Sequence, residues 1–405
     1  MRKYTGNSEL IKEINRTIIL DLVRKEGPIS RADIAKHLNL SPSTVTNITK
    51  ALIEENELLE IGEGKSCGGR RPILLEFNYK SGYVVGIYIG EVTIRVALAD
   101  LSGTILSSIS LFTDEVKWEK GIIDTIVEKI KECLNTQDAS LDGLKSIGVA
   151  VSGITDVDTG IVKLSKYIEG WENYPLAQVI QDKLGVPVKV DNDMFMAALG
   201  EQWVNQGEEL SNMILVTVGV GLGAGIVING QLYRGSKYSS GELGDMIITY
   251  KDWETDLERG HLERRAGWLA IQKFGQRYAA ENPHSKMAQL VDGLSEEVTY
   301  EIVFKAAYHK DEGAIEIIEK ISSVLGLAIA NLISLLDPEI IVLGGEIVPV
   351  GDLFLEPIRR TVAKVIPEHP PITLSKLGGD AEVIGAIKVA IDIATGGLSI
   401  NGTSE

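Results

Sequence analysis

The chain has 405 residues and is 44% hydrophobic, more than one core holds, so two or three folding units are expected and wholesale disorder is excluded. Two cysteines, Cys67 and Cys133, are too few for a disulfide-stapled secreted scaffold. The N-terminus lacks a signal-type apolar run, and no uninterrupted apolar stretch reaches roughly 18 residues, which gives the expectation of a soluble cytoplasmic protein with no membrane partner. The net charge of −17 is uneven: residues 1–80 hold 13 Lys and Arg against 11 Asp and Glu, net +2, leaving −19 for the rest. Most of this surface repels a phosphate backbone, so any nucleic-acid contact is confined to a small oriented patch.

In chain order, Ile18, Ile19, Leu22 and Val23 give a first apolar face. Ser30 is placed to cap a helix beginning at Arg31, with Asp33 at the third helical position, the capping-box spacing; Ala32, Ala35 and Leu38 predict its inner face. After a short turn at Asn39 and Leu40, Ser41 caps another helix with Pro42 in its first turn, where a missing N–H costs nothing. Val45, Ile48 and Leu52 recur on its buried side. Ser43, Thr44, Thr46, Asn47 and Lys50 are left outward, a short, polar face nearly free of acid, suited to a major groove; Glu54, Glu55 and Glu57 fall at the far end. "LLEIG" and "PILLEF" read as two strands. The loop between them carries Lys65, Gly68, Gly69, Arg70 and Arg71, able to approach the backbone or a minor-groove edge. Residues 1–78 thus read as a winged helix-turn-helix, with Arg31, Ser41, Ser43, Thr44, Thr46, Asn47, Lys50, Lys65, Arg70 and Arg71 as DNA-binding candidates. A three-helix unit with a merely wet surface is the alternative.

After residue 80 the pattern changes. "YVVGIYIGEVTIRVALADLSGTILSS" reads as three strands joined by turns, and "MILVTVGVGLGAGIVINGQLYRGS" repeats it. The echo predicts two related α/β lobes around a cleft: 79–190, completed by a C-terminal helix at about 381–395, and 191–380. Gly219, Gly221, Gly223 and Gly225 either cradle a phosphate or permit tight hairpins; neither a GxxxxGK[ST] loop nor a strand–GxGxxG–helix fingerprint is present. Asp191, Asn192 and Asp193 close a strand, and the helix after them buries Met196, Leu199 and Trp203. Carboxylates and an amide at a strand end suit a hydroxyl-rich ligand, and a carboxylate there can deprotonate a hydroxyl. For Asp191 alone, capping the next helix is the simpler role.

Taken in order, "SRADIAKHLNLSPSTVTNITKAL", "GGRRP", "GYVVGIYIG", "EGW", "DNDMFMAALGE", "VTVGVGLGAGIVINGQLYRG", "GELGD", "GHLE", "IVLGGEI" and "GDAEVIGAI" resemble the repressor/open-reading-frame/sugar-kinase (ROK) family. Within it they resemble regulators of the xylose-repressor type, over essentially the whole chain. The resemblance implies an α/β protein in which the winged helix-turn-helix precedes an actin-like, two-lobed, sugar-kinase-type domain, usually dimeric, with the dimerisation region in the 191–380 lobe and sugar between the lobes. In family kinases the first phosphate turn is similar to D-x-G-G-T. Here Tyr88 stands at the Asp position and Gly90–Glu91 at the Gly–Gly, so a magnesium-supporting carboxylate is replaced and an anion is added that repels triphosphate. The second turn, L-G-T-G-x-G-G-G in the family, reads "VGVGLGAG", with Val220 removing a hydroxyl and Ala224 adding a methyl.

The resemblance carries the catalytic-base position to Asp193; without a held phosphoryl donor that base has little to do, so no catalytic residue is expected. It implies ligand contacts at Gly170, Asn192, Asp193, Glu242 and Glu263, with His261 beside the last. The family's P-N-L-x-G-W is Lys166 to Trp171 here, with Tyr167 at the asparagine. The family's structural zinc is held by one His and three Cys. Those positions read Asp245, Glu254, Asp256 and His261, with no thiolate, so zinc is expected to be lost and no cofactor required. Salt links from Arg259, Arg264 or Arg265 would take its place, and a harder metal is the alternative. The function these readings imply is a homodimeric repressor on double-stranded operator DNA, released when a small carbohydrate such as xylose closes the cleft. An ATP-dependent sugar kinase with an attached reader and a ligand-blind DNA-binding scaffold are the other two readings.

Overall fold

The computed structural model describes residues 8–64, 71–113, 116, 121–165, 168–205, 210–219, 221–249 and 260–396. The reader is α1 (Ser8–Glu26), β1 (Ile29–Ser30), α2 (Arg31–His37), α3 (Pro42–Glu54), β2 (Leu58–Glu63) and β3 (Ile73–Phe77), with the strands in the order β1-β3-β2. Both caps form as their residue types require: Ser30 Oγ accepts from Asp33 N (3.2 Å) and Ser41 Oγ from Thr44 N (3.1 Å). Val45, Ile48 and Leu52 are buried against Ile19 and Val23. The inner face of α2 differs from the periodicity reading: Ile34 and Ala35 are buried, while Ala32 is exposed.

Two five-stranded sheets follow with one plan. In the first, β4 (Tyr83–Ile89), β5 (Thr93–Asp100) and β6 (Ile105–Phe112) form an antiparallel meander, β7 (Leu144–Val151) adds parallel to β4, and β11 (Val188–Asn192) adds parallel to β7. In the second, β12 (Met213–Val218), β13 (Leu222–Ile228) and β14 (Gln231–Leu232) form the meander, with β15 (Ile340–Gly345) and β16 (Ile372–Leu374) added in parallel. A three-stranded sheet, β8 (Ile154–Asp156), β9 (Ile161–Leu164) and β10 (Glu172–Tyr174), extends the first lobe. The first sheet runs through Asn192, so Asp191 and Asn192 belong to it rather than to a second lobe beginning at 191.

Helices α4 (Ile122–Asn135) and α5 (Leu176–Leu184) cover the outer face of the first sheet. The second lobe holds α7 (Glu263–Ala266), α8 (Trp268–Glu281), α9 (Lys286–Gln289), α10 (Tyr300–Tyr308), α11 (Glu312–Leu336) and α12 (Asp352–Val365), which bury the other face of its sheet. Helix α11 is long and apolar enough to span a membrane, but it forms part of that core. Between the two sheets cross α6 (Asp193–Val204) and the C-terminal helix α13 (Ala381–Ala394).

Glycine makes this crossing possible. A Cβ on Gly385 would lie 1.7 Å from the Met196 carbonyl oxygen, and one on Gly148 of β7 2.0 Å from that of Ala386. On the other side, a Cβ on Gly225 of β13 would meet the Ala198 Cβ at 2.4 Å. Gly223 and Gly225 therefore serve close helix-on-sheet packing, not the hairpin geometry considered for them, and neither has a positive φ.

Candidate functional site

The cleft is built where β11 runs into α6. Asn192 caps that helix: its Oδ1 accepts from Met194 N (2.9 Å) and Phe195 N (3.3 Å), while its Nδ2 donates to Gly153 O (2.8 Å). Three of its four hydrogen-bonding capacities are used, leaving one amide hydrogen for a ligand. The cap is thus Asn192 and not Asp191. Asp191 is 1% exposed and accepts two hydrogen bonds at Oδ2 from Arg234, at 3.0 and 2.7 Å. Arg234 follows β14, so this pair joins the second lobe to the first.

Asp193 is 8% exposed, and the Ser152 hydroxyl donates to its Oδ2. Burial pushes its carboxyl up to about 6, with the Glu242 charge adding in the same direction. Glu242 is exposed just ahead of a 3-10 turn over Leu243–Asp245. Glu263 opens α7, and its Oε2 accepts from Leu222 N at 3.1 Å. A Cβ on Gly244 would fall 3.0 Å from that oxygen and one on Gly221 3.2 Å, so these glycines let the backbone close around the carboxylate. His261 is buried two residues earlier, and Gly170 is exposed at φ +81° ahead of Trp171. The Glu242 charge reaches Asp193, which follows Asn192 in the chain.

The side of the cleft around Tyr88 is differently furnished. The Tyr88 phenol, whose ionisation is favoured by Ser152, lies against Gly90, where a Cβ would be 2.3 Å from its oxygen. Burial holds its ionisation well above the usual tyrosine range, and the charges of Asp193, Glu382 and Glu346 add to this. Burial and Glu263 raise Glu91. Glu382, in the first turn of the C-terminal helix, is pushed up to about 8 by burial, with Asp193 and Asp380 opposing its ionisation and Arg95 favouring it. Arg95 is itself engaged by Gly379 O (2.8 Å) and the Asp380 carboxylate. Glu346, beside Gly219, is raised by burial and by Glu301. Sequence reasoning identified Tyr88 and Glu91. It missed Ser152, Arg234, Glu346 and Glu382, which lie far from them in the chain and join them only through the crossing of α6 and the C-terminal helix.

At the reader, Ser43, Thr46, Asn47 and Lys50 are exposed on α3, with Ser41 exposed at its cap, and Thr44 is half-buried. Several candidate side chains are engaged within the chain. The Ser41 hydroxyl lies 2.9 Å from that of Ser43 and 2.8 Å from that of Thr44, and the Thr46 hydroxyl donates to Pro42 O. Lys50 lies 3.8 Å from Glu54 and Arg71 3.8 Å from Glu63. Arg31 donates to Thr49 and, at 2.7 Å, to Glu60, which makes it a brace between α2 and the wing. Arg16 pairs with Glu55 (2.6 Å) and Glu57 (2.8 Å), neutralising the acids at the end of α3. Lys65 and Arg70 lie outside the described residues.

Of the four positions matching the family's zinc ligands, Glu254 and Asp256 lie outside the described residues. Asp245 Oδ1 accepts from Gly260 N at 2.7 Å. Among the described residues no group of three or more His, Cys, Asp or Glu has the spacing of a metal site.

The ROK family profile matches residues 84–393, and a winged helix-turn-helix DNA-binding profile matches residues 13–56. The chain is 31% identical to the xylose repressor of Caldicellulosiruptor bescii, over 95% of this chain and 97% of the relative. It is also 32% identical to a glucokinase of Halalkalibacterium halodurans, over 75% of this chain and 93% of that one. Among solved structures, a ROK family transcriptional regulator described as a homologue of the E. coli MLC protein matches with a TM-score of 0.81 at 27% identity, covering 96% of this chain and 98% of that one. With its two-lobed architecture and a family match across three quarters of its length, the chain belongs to the ROK family.

Proposed function

We propose that the protein is a transcriptional repressor that leaves its operator when a monosaccharide occupies the cleft, with xylose the first candidate. The observation that supports this best is the asymmetry of the cleft. Asn192, Asp193, Glu242 and Glu263 offer directed partners to sugar hydroxyls. Tyr88 fills the phosphate side with a ring, and Glu91 and Glu346 add carboxylates that repel a triphosphate. A reader joined to such a cleft is suited to reporting a ligand rather than transforming it, and the relative named a xylose repressor agrees in both parts.

In this reading two copies form a symmetric dimer in the cytoplasm, and two readers occupy the half-sites of a palindrome, each alone neutralising too few phosphates to hold. Sugar closing the lobes alters the spacing or angle of the readers. A ten- to hundredfold loss of operator affinity requires a coupling of only about 1.4 to 2.8 kcal/mol. No structural zinc and no cofactor enter this reading, because the ligand positions lack thiolates; stoichiometric zinc in protein purified without added metal would refute that part.

Calorimetry with D-xylose and a panel of monosaccharides tests the proposal, followed by titration of a duplex selected by the protein from random DNA. A binding sugar that weakens the DNA complex is the expected result; silence across the panel would sink it. A sugar kinase is the second reading, favoured by Asp193 with its Ser152 partner and by the glucokinase relative. Sugar-dependent ADP release by the purified protein would establish that reading instead.

A further inference from the structure

The two ends of the C-terminal helix stand at two different functional places. Its first turn holds Glu382, and three residues on, Gly385 lies against the backbone of α6 at Met196, in the helix that opens with Asp193 in the cleft. Its last turn meets the reader. Thr395, which ends the helix, donates its hydroxyl to Ile391 O (2.8 Å) and accepts from Arg24 Nη1 of α1 (2.9 Å). A Cβ on Gly396 would lie 3.8 Å from the Thr17 methyl, again on α1. Arg24, held by Asp21 at 3.2 Å, sets a cation against the negative end of the helix dipole.

Between these ends the helix is gripped along its length, roughly 21 Å for 14 residues at 1.5 Å each. Ser146 donates to Ala390 O at 2.6 Å. Val383, Ile387, Ala390 and Ile391 belong to one contiguous core with Ile19, Val23, Leu52 and Phe77 of the reader. At Gly385 the helix touches the α6 backbone, with no side chain to cushion a relative shift. Close-packed interiors transmit such displacements as rigid bodies.

We propose that this helix is the rod that carries the state of the cleft to the DNA reader, with the Arg24–Thr395 contact as its joint. The inference rests on the reading of the chain as a ligand-responsive regulator, and its test does not require the ligand to be known. At pH 9, where the wild-type carboxyl is ionised, Glu382→Gln removes a charge from the cleft end, and amide hydrogen exchange along α1 in the intact protein, read relative to that of α11 so that a change in global stability cancels, is the readout. In the otherwise unaltered chain the substitution changes α1 exchange by at least about threefold; in a Thr395→Val background, which keeps the side chain's shape but removes its hydroxyl, the change disappears. Arg24→Gln gives the same loss from the other side of the joint, and should it fail to fold, Thr395→Val carries the test. An equal response to Glu382→Gln with and without the joint, or none in either, overturns the rod. In a second arm, D-xylose weakens binding of the selected duplex about tenfold in the wild type and less than about twofold in Thr395→Val. If no monosaccharide affects DNA binding while the exchange coupling is intact, the sugar reading fails and the rod stands.

Discussion

On the side of the cleft proposed to take the sugar, Glu263 lies in a glycine-lined turn with one oxygen held by a backbone N–H, and Asn192 is fixed by three hydrogen bonds with one hydrogen to spare. On the other side, Tyr88 and Glu382 are half-buried and Glu346 is exposed, all among like charges, and Arg95, the cation that favours the ionisation of Glu382, is already committed to Asp380 and Gly379. Both sides are rich in carboxylates, so composition does not separate them. What distinguishes Glu263 is the backbone donor that positions it, whereas Glu346 and Glu382, like Asp193, are raised by burial and by a neighbouring acid. The first arrangement presents an acceptor to a ligand; the second stores an unfavourable ionisation.

The sharpest test of this contrast is at the base of the sugar side. Arg234→Ala strands the buried Asp191 carboxylate and is expected to lower stability by about 3 kcal/mol in urea unfolding; a loss near that of a surface pair would remove Asp191 from the architecture of the site. Glu263→Ala comes next, weakening the sugar complex by about 2 kcal/mol in calorimetry while operator affinity without sugar stays unchanged. An undiminished sugar response would break the assignment of that side.

The third change, at Glu382, has the opposite sign. Its folded carboxyl titrates near 8 against an ordinary value of 4.5, so the folded chain holds a proton that the unfolded chain has released. Wild-type stability therefore falls as pH climbs through that window. Glu382→Gln escapes the loss and is expected to gain at least about 1.4 kcal/mol at pH 9, with no such pH-dependent gain below pH 4. Urea melts across the pH series check this, and a pH-independent difference would contradict it. Smallest of all, Tyr88→Phe is expected to leave sugar affinity within about twofold, because its phenol belongs to the phosphate side. A larger effect measured by calorimetry would show that the two sides are not separable.

The reader was legible because its signals are local: Ser30 with Asp33, Ser41 with Pro42, and the spacing of Val45, Ile48 and Leu52 all act within a turn or two. Where packing decides, local pattern failed. Ala32 was read as inward, yet the larger Ile34 takes the core position. Arg31 looked outward until Glu60, 29 residues on, claimed it. In the cleft, the strand-to-helix junction at Asn192 and Asp193 was visible for the same local reason. Ser152 and Arg234 were not, since each is an ordinary polar residue until the fold sets it against Asp193 or Asp191 across about 40 residues. Glu382 was hidden more deeply, in a helix that reads as ordinary C-terminal core.

The hydrophobic interior shared by the reader, β4, β5 and the C-terminal helix bears on how such proteins diversify. A DNA-binding module on a tether can be exchanged whole between paralogues, but this one is rooted in its neighbour, and transplanting residues 1–78 would leave mismatched seams at Val84, Ala97 and Ile391. A reader exchanged into this chain therefore has to bring side chains that match at Ile19, Val23, Leu52 and Phe77.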